Sequence, residues 1–203
     1  MDTLPTRFTT MLNASHMDFG RGVSMVVRTC TEMLQDRGCV DVDAASDVGS
    51  IIRCITDVQP VLRGSGAGVS TFIFFVAEER VAVKSIRSIM EDHGGGMDAM
   101  LFVSTDGPTT FAKREAHAQW GSRVQFFKYR DLSVNITHHV LVPKHERYLG
   151  AREHKDENYP RILVTDPVCQ YYNFVIGDLV RIERTHGCTQ PFPYYRLVVA
   201  PPS

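Results

Sequence analysis

The feature that most constrains this chain is a change of hydrophobic period across the Gly- and Pro-containing stretch QPVLRGSGAG, residues 59–68. Before it, apolar residues recur at steps of three and four. In GRGVSMVVRTCTEMLQDRGC the residues Val23, Val26, Val27, Cys30, Met33 and Leu34 share one helical face, and Gly38 supplies a left-handed stop. A second helix fits VGSIIRCITDV, with Val48, Ile51, Ile52 and Ile55 on one face and Ser46 or Asp47 as cap. After the stretch, short apolar runs bounded by turn residues alternate with helical segments. STFIFFVA reads as a buried strand, and RVAVKSI as its neighbour across a polar turn. Ile86, Ile89 and Met90 support a brief helix that ends at Gly94-Gly95-Gly96. DAMLFVS and VQFFKY are further strands, on either side of a helix through AKREAHAQW. Strands alternating with helices predict an α/β first domain over residues 21–148, behind a mobile lead-in over residues 1–20.

The polar stretch LGAREHKDEN, residues 149–158, is the expected linker, and a small, mainly β (α+β) domain is expected over residues 159–203. There, DPVCQYYN forms a turn or two of helix, with Asp166 as N-cap, Pro167 at the first helical position and Asn173 at a left-handed exit. GDLVRIER and YYRLVVA are strands.

Composition narrows the function. Hydrophobic residues are 43% and charged residues 22% of the 203, enough apolar material for a packed core. A net charge of −1 is unlike a chain whose main task is to grip nucleic acid. No apolar run approaches the roughly 18–20 residues that cross a bilayer, so no membrane partner is expected. Cys30, Cys39, Cys54, Cys169 and Cys188 are scattered and odd in number, which disfavours a disulfide framework or a cysteine-rich zinc site and makes a reducing compartment the default.

The motifs that carry chemistry elsewhere are incomplete here. The glycines of RGSGAG precede a strand instead of opening a helix, so they read as flexible linker, not as a phosphate loop. His138-His139 and His145 lie close, but adjacent residues of an extended segment face opposite ways. Metal-dependent nucleases on α/β folds set an acid two residues before a strand lysine. In RVAVKSI the lysine is Lys84 and that residue is Ala82, so a divalent ion loses a ligand. No catalytic residue, metal or cofactor is therefore expected, and a free-standing nuclease-fold enzyme is the alternative. One segment, from Thr109 to Arg130, is locally basic, with Lys113, Arg114, Arg123, Lys128 and Arg130 against Glu115 alone. Such a stretch is either a solvated helix face or a sequence-independent phosphate contact.

The C-terminal run YPRILVTDPVCQYYNFVIGDLVRIER…YYRLV resembles the assembly domain of the subunit common to eukaryotic nuclear RNA polymerases, which is also the archaeal H subunit. Pro160, Arg161, Ile162, Asp166, Pro167, Val168, Tyr171, Tyr172, Gly177, Val180, Ile182, Arg184, Tyr195 and Arg196 carry the pattern. Upstream, CTEMLQDRGC is similar to the family's first helix, FIFFVAEERVAVKSIRSIM to its first strand pair and next helix, and NITHHVLVPKH to its Asn-Ile-Thr and Leu-Val-Pro-x-His signature, including Pro143.

The resemblance implies a two-domain, non-catalytic subunit. Its N-terminal jaw would look like a restriction endonuclease without an active site and lie beside downstream DNA, with Lys113, Arg114 and Arg123 facing it. Its assembly domain would pack on the largest subunit through Arg161, Tyr171, Tyr172, Arg181, Arg184, Tyr195 and Arg196. Pro143, Pro160, Asp166, Pro167 and Gly177 would shape the fold. The implied partners are the largest and other core polymerase subunits, at one copy per complex without self-association, in the nucleus. This chain departs from the family where Thr-Pro-Ser-Ala near the DNA reads Thr109-Thr110-Phe111-Ala112, with Lys113 retained, and where the approach to the last strand reads His186-Gly187-Cys188-Thr189-Gln190. Such departures suit a paralogue tied to one polymerase, such as nucleolar polymerase I, or a viral copy acting in host cytoplasm and virion.

Overall fold

The structure is a computed structural model that describes residues 19–66, 68–78, 80–93, 96–184 and 192–202. It divides into two compact units, Met1–Val134 and Asn135–Ser203. All but the last two residues of the expected lead-in, and the segment from His186 to Gln190, lie outside the described residues.

In the first unit, helix α1 (Phe19–Asp36) buries the six residues that its periodicity selects, Val23, Val26, Val27, Cys30, Met33 and Leu34. Gly38, at φ 92°, follows its end. Strand β1 (Asp41–Ala44) comes next, then α2 (Val48–Thr56), where Asp47 is the cap and accepts from the Ser50 N–H at 3.0 Å. Strands β2 (Leu62–Gly66), β3 (Val69–Phe75), β4 (Ala99–Ser104) and β5 (Val124–Lys128) complete a five-stranded sheet in chain order. The pairs β1–β2 and β2–β3 are antiparallel, while β3–β4 and β4–β5 are parallel. The parallel steps are crossed by α3 (Val83–His93) and α4 (Thr110–Trp120), and a short α5 (Tyr129–Leu132) follows β5. Phe74 and Phe102 on the sheet pack with Ile86 and Ile89 of α3 and Ala112 and Ala116 of α4.

Two expectations fail in this unit. The glycine run is not a flexible linker, because residues 62–66 form strand β2. Its glycines serve close approach: a Cβ on Gly66 would stand 2.2 Å from the Gly38 carbonyl oxygen. Nor is RVAVKSI a strand. Only Val81 keeps an isolated bridge, to Pro108, and the chain turns helical at Val83. The local alternation Val81, Val83 suggests a strand, but the buried pair Ile86 and Ile89 has helical spacing, and burial of that face decides the outcome.

The second unit holds a four-stranded sheet in the order β6 (Lys144–Arg147), β8 (Leu179–Arg184), β9 (Phe192–Val199), β7 (Arg161–Leu163). Helix α6 (Pro167–Tyr172) is built as its sequence implies. The Asp166 carboxylate accepts from the Val168 N–H at 2.9 Å, Pro167 opens the helix, and Asn173 leaves it at φ 55°, ψ 44°. Ile162, Cys169, Phe174, Val180, Ile182 and Val198 form the core.

The boundary differs from the expected one. Strand β6 pairs with β8, so residues 135–148 belong to the second unit. The stretch 149–158 is tied down within that unit, since Arg152 donates to the Gly177 carbonyl at 2.6 Å and the His154 N–H to the Tyr159 hydroxyl at 3.1 Å. Among the described residues no helix is long and apolar enough to cross a membrane.

Candidate subunit interface and basic patch

Strand alternation sorts the candidate interface residues of the second unit onto two faces. On the face away from the core, Lys144 stands opposite Glu183 and Glu146 opposite Arg181. Arg181 bridges Glu183 at 2.6 Å and Glu146 at 3.6 Å, and Lys144 pairs with Glu146. Tyr195 lies opposite Arg181 and meets Tyr148 edge-on, with ring centroids 5.0 Å apart. Arg161, exposed and opposite Leu197, shares this face at the far edge strand. Arg181, Tyr195 and Arg161 are thus brought onto one surface.

Arg196 stands opposite Val180 on the core side, where its guanidinium reaches the Arg161 carbonyl at 3.5 Å. The side chain of Arg184 lies outside the described residues. Tyr171, expected at an interface, is only 3% exposed and accepts a 3.1 Å hydrogen bond from the Asn135 amide. The Tyr172 ring meets it edge-on at 5.0 Å, and the Tyr171 side chain is buried instead of offered to a partner. Tyr172 is half-buried, with its ring stacked 5.4 Å from Phe174.

Sequence reading missed the clamp on the turn after α6. The Asp178 carboxylate accepts from Arg147 at 2.9 Å and from the Val175 N–H at 2.8 Å, while Arg147 also donates to the Asn173 carbonyl at 3.0 Å. The two Arg147 contacts span 31 and 26 positions, and nothing in the local pattern announces them. Gly177, at φ 94°, lets the turn close, and its N–H donates to the Val198 carbonyl at 3.0 Å. Of the other fold-shaping residues, the Pro160 carbonyl accepts from the Leu197 N–H at 2.8 Å.

The Pro143 carbonyl accepts from His145 Nδ1 at 2.7 Å, so that nitrogen carries the proton. His145 is buried, and its desolvation pushes its pKa below the ordinary value of 6.5; the Pro143 bond and the Asp166 charge oppose the shift, and Arg196 adds to it. The fold therefore favours the neutral ring. The stability this contributes is complete above the unfolded value and is lost as pH falls through the depressed folded value. The melting temperature of the chain should fall on acidification below about pH 6.5, and His145→Gln should flatten that part of the profile. An unchanged slope in the variant would refute this assignment.

In the first unit, the basic candidates sit on and after α4. Thr109 caps the helix by accepting from the Ala112 N–H at 3.1 Å. Lys113 and Arg114 are exposed on its first turns, and Arg123 is exposed in the turn after its end. Strands β2 to β5 contain no Asp, Glu, His or Cys, and Lys84 lies in α3, not on a strand. Lys84 is thus off the sheet, and the one lysine on these four strands, Lys128, has Phe126 two residues before it where the nuclease arrangement needs an acid. Among the described residues, Cys30, Cys39, Cys54 and Cys169 are free thiols, and no cluster of His, Cys, Asp or Glu could hold a metal ion.

The fold is thus a mixed-sheet α/β unit followed by a small α+β unit whose outer sheet face carries alternating charge. The model of the C-terminal domain of RNA polymerase Rpb5 matches residues 134–198, which begin one position before the second unit. The chain is 32% identical over 145 residues to subunit rpabc1 of DNA-directed RNA polymerases I, II and III from Dictyostelium discoideum, covering 64% of this chain and 72% of that protein. It is 30% identical over 138 residues to the RPABC1 subunit of Caenorhabditis elegans, covering 63% and 65%. A subunit 5-like protein from Arabidopsis thaliana is 33% identical over 84 residues, 37% of this chain and 40% of that protein. The chain belongs to the Rpb5 (RPABC1) family of RNA polymerase subunits.

Proposed function

We propose that this chain is a non-catalytic subunit of a nuclear DNA-directed RNA polymerase, present at one copy per complex. Its second unit docks on the largest subunit, and its first unit serves as a jaw that touches downstream DNA weakly. The observation that carries this reading is the coincidence of the family match, residues 134–198, with a compact unit that begins at residue 135. Support for the docking surface comes from the outer face of β6, β8, β9 and β7, where Arg161, Arg181 and Tyr195 lie together. A jaw with the restriction-endonuclease layout but no chemistry is supported by strands β2 to β5, which carry no acid for a metal; the acids of the sheet, Asp41 and Asp43, lie on the edge strand β1.

The test is affinity purification of the tagged chain from its own cell, with stoichiometry by quantitative mass spectrometry. Recovery at one copy per largest subunit is the expected result, and the subunit recovered identifies the polymerase. Replacing Arg181 by Ala and Tyr195 by Ala together should cut that recovery at least tenfold, with the melting curve of the free chain recorded beside it to separate a lost contact from a loosened sheet, since arginine and tyrosine are frequent anchors of buried interfaces. Recovery of the chain alone, or undiminished recovery of the double variant, would overturn the assignment or the face respectively.

A further inference from the structure

Phe111 occupies the first turn of α4, yet its side chain does not join the core that Ala112 and Ala116 enter from the same helix; it is 58% exposed. The guanidinium of Arg114, one turn on, lies 5.5 Å from the ring centroid. An arginine over one face holds the ring in place and leaves the other face open.

Charge around this ring is lopsided. Glu115 is the only acid of α4, and its carboxylate is taken by Arg87 of α3 and by Gln119 at 3.0 Å. No ion pair with a carboxylate is formed by Lys113 or Arg114 among the described residues. Two further cations reach the same end of the helix. The Lys128 stem runs past Gly107, 3.5 Å from where a Cβ there would sit, and the bridge between Val81 and Pro108 brings in Arg80. The one carboxylate on this loop, Asp106, stands 4.0 Å from Arg80. Lys113 and Arg114 thus flank the ring on the helix itself, while Lys128 and Arg80 belong to segments that adjoin the loop before its first turn, where Arg80 is paired with Asp106.

We infer that Phe111, backed by Arg114, is a stacking platform for an unpaired base of single-stranded nucleic acid, with Lys113 and its neighbours holding the flanking phosphates. Open aromatic faces set in a basic surface are how sequence-independent single-strand binders work, since every base has a face to stack. A duplex keeps its bases stacked inside and offers this ring only its backbone. The inference goes beyond the downstream-DNA contact proposed above, because phosphate contact alone gives no use for the ring.

The test is fluorescence anisotropy of the full chain at low salt with a labelled mixed-sequence single strand, and with the same strand annealed to its complement. The single strand is expected to bind about tenfold more tightly, the worth of roughly one stacked base. Phe111→Ala should remove that preference and leave the salt slope unchanged. Phe111→Trp should restore it, and Lys113→Ala should lower the slope by about one while the preference stays. Equal binding of both forms, or a preference that survives Phe111→Ala, overturns the stacking platform while leaving the duplex contact in place. No binding of either form overturns both. Loss of polymerase association in Phe111→Ala with unaltered single-strand binding would mean that the ring meets a protein and would also overturn the platform.

Discussion

Tyr171→Ala should destabilise the second unit strongly, whatever it does to an interface. The side chain is 3% exposed, lies beside the ring of Tyr172 at 5.0 Å, and holds the Asn135 amide through its hydroxyl. Removing a buried aromatic ring costs about 4 kcal/mol through lost transfer energy and the cavity left behind. A small domain has only about 5–15 kcal/mol in total. The Asn135 amide also loses a buried partner, although its oxygen keeps Thr137, which donates from its N–H at 3.0 Å and from its hydroxyl at 2.7 Å. The melting midpoint of the second unit should drop by more than about 15 °C. Tyr171→Phe, which keeps the ring, should cost about 1 kcal/mol. Circular dichroism of the free chain decides the matter. Lost polymerase association with an unchanged midpoint would return Tyr171 to the interface.

Gly66→Ala should be nearly as damaging to the first unit. The added Cβ would meet the Gly38 carbonyl oxygen at 2.2 Å, Cys39 Cα at 2.8 Å and Val40 N at 3.0 Å. All three belong to the backbone, so no side chain can swing aside, and the hairpin must part from the segment after α1. A cost of about 3 kcal/mol follows from overpacking of this kind. The neighbours grade the effect. A Cβ on Gly64 meets Cys39 Sγ at 3.0 Å and Leu34 Cδ1 at 3.1 Å, both on side chains with some freedom to move. On Gly68, at φ 79°, it meets nothing within 4 Å, and only the left-handed backbone of about 1 kcal/mol is at stake. Chemical denaturation of the three variants should rank them Gly66, Gly64, Gly68. A wild-type midpoint for Gly66→Ala would disprove the close approach.

These glycines also show where sequence reading stops. Periodicity found α1 residue for residue, and cap chemistry found α6, because both are decided within a few positions of the chain. It took RGSGAG for a linker because glycine signals freedom and close contact with the same letter, and the contact is with Gly38, far back in sequence. The second unit posed the same difficulty. LGAREHKDEN is polar like a linker, yet Arg152 fastens it to Gly177. Of the candidate site, Lys113, Arg114, Arg161, Arg181 and Tyr195 stand on the surface, as their residue types suggest. Tyr171 could not be placed from its type, since tyrosine is at home both inside a domain and at an interface.

The alternating charges of Lys144, Glu146, Arg181 and Glu183 also bear on how fast this chain finds what it binds. Opposite charges set on adjacent strands cancel one another's field within about a Debye length, some 8 Å at physiological salt. A partner approaching that face feels no pull until it is almost in contact, so capture there proceeds at the unguided rate and is insensitive to ionic strength. The end of α4 works the other way, because its cations stand largely uncompensated and draw a polyanion in from a distance, at a rate that salt would slow. If both proposed contacts are made, one polypeptide joins a shape-limited encounter to a guided one, and the order of the two would shift with salt alone.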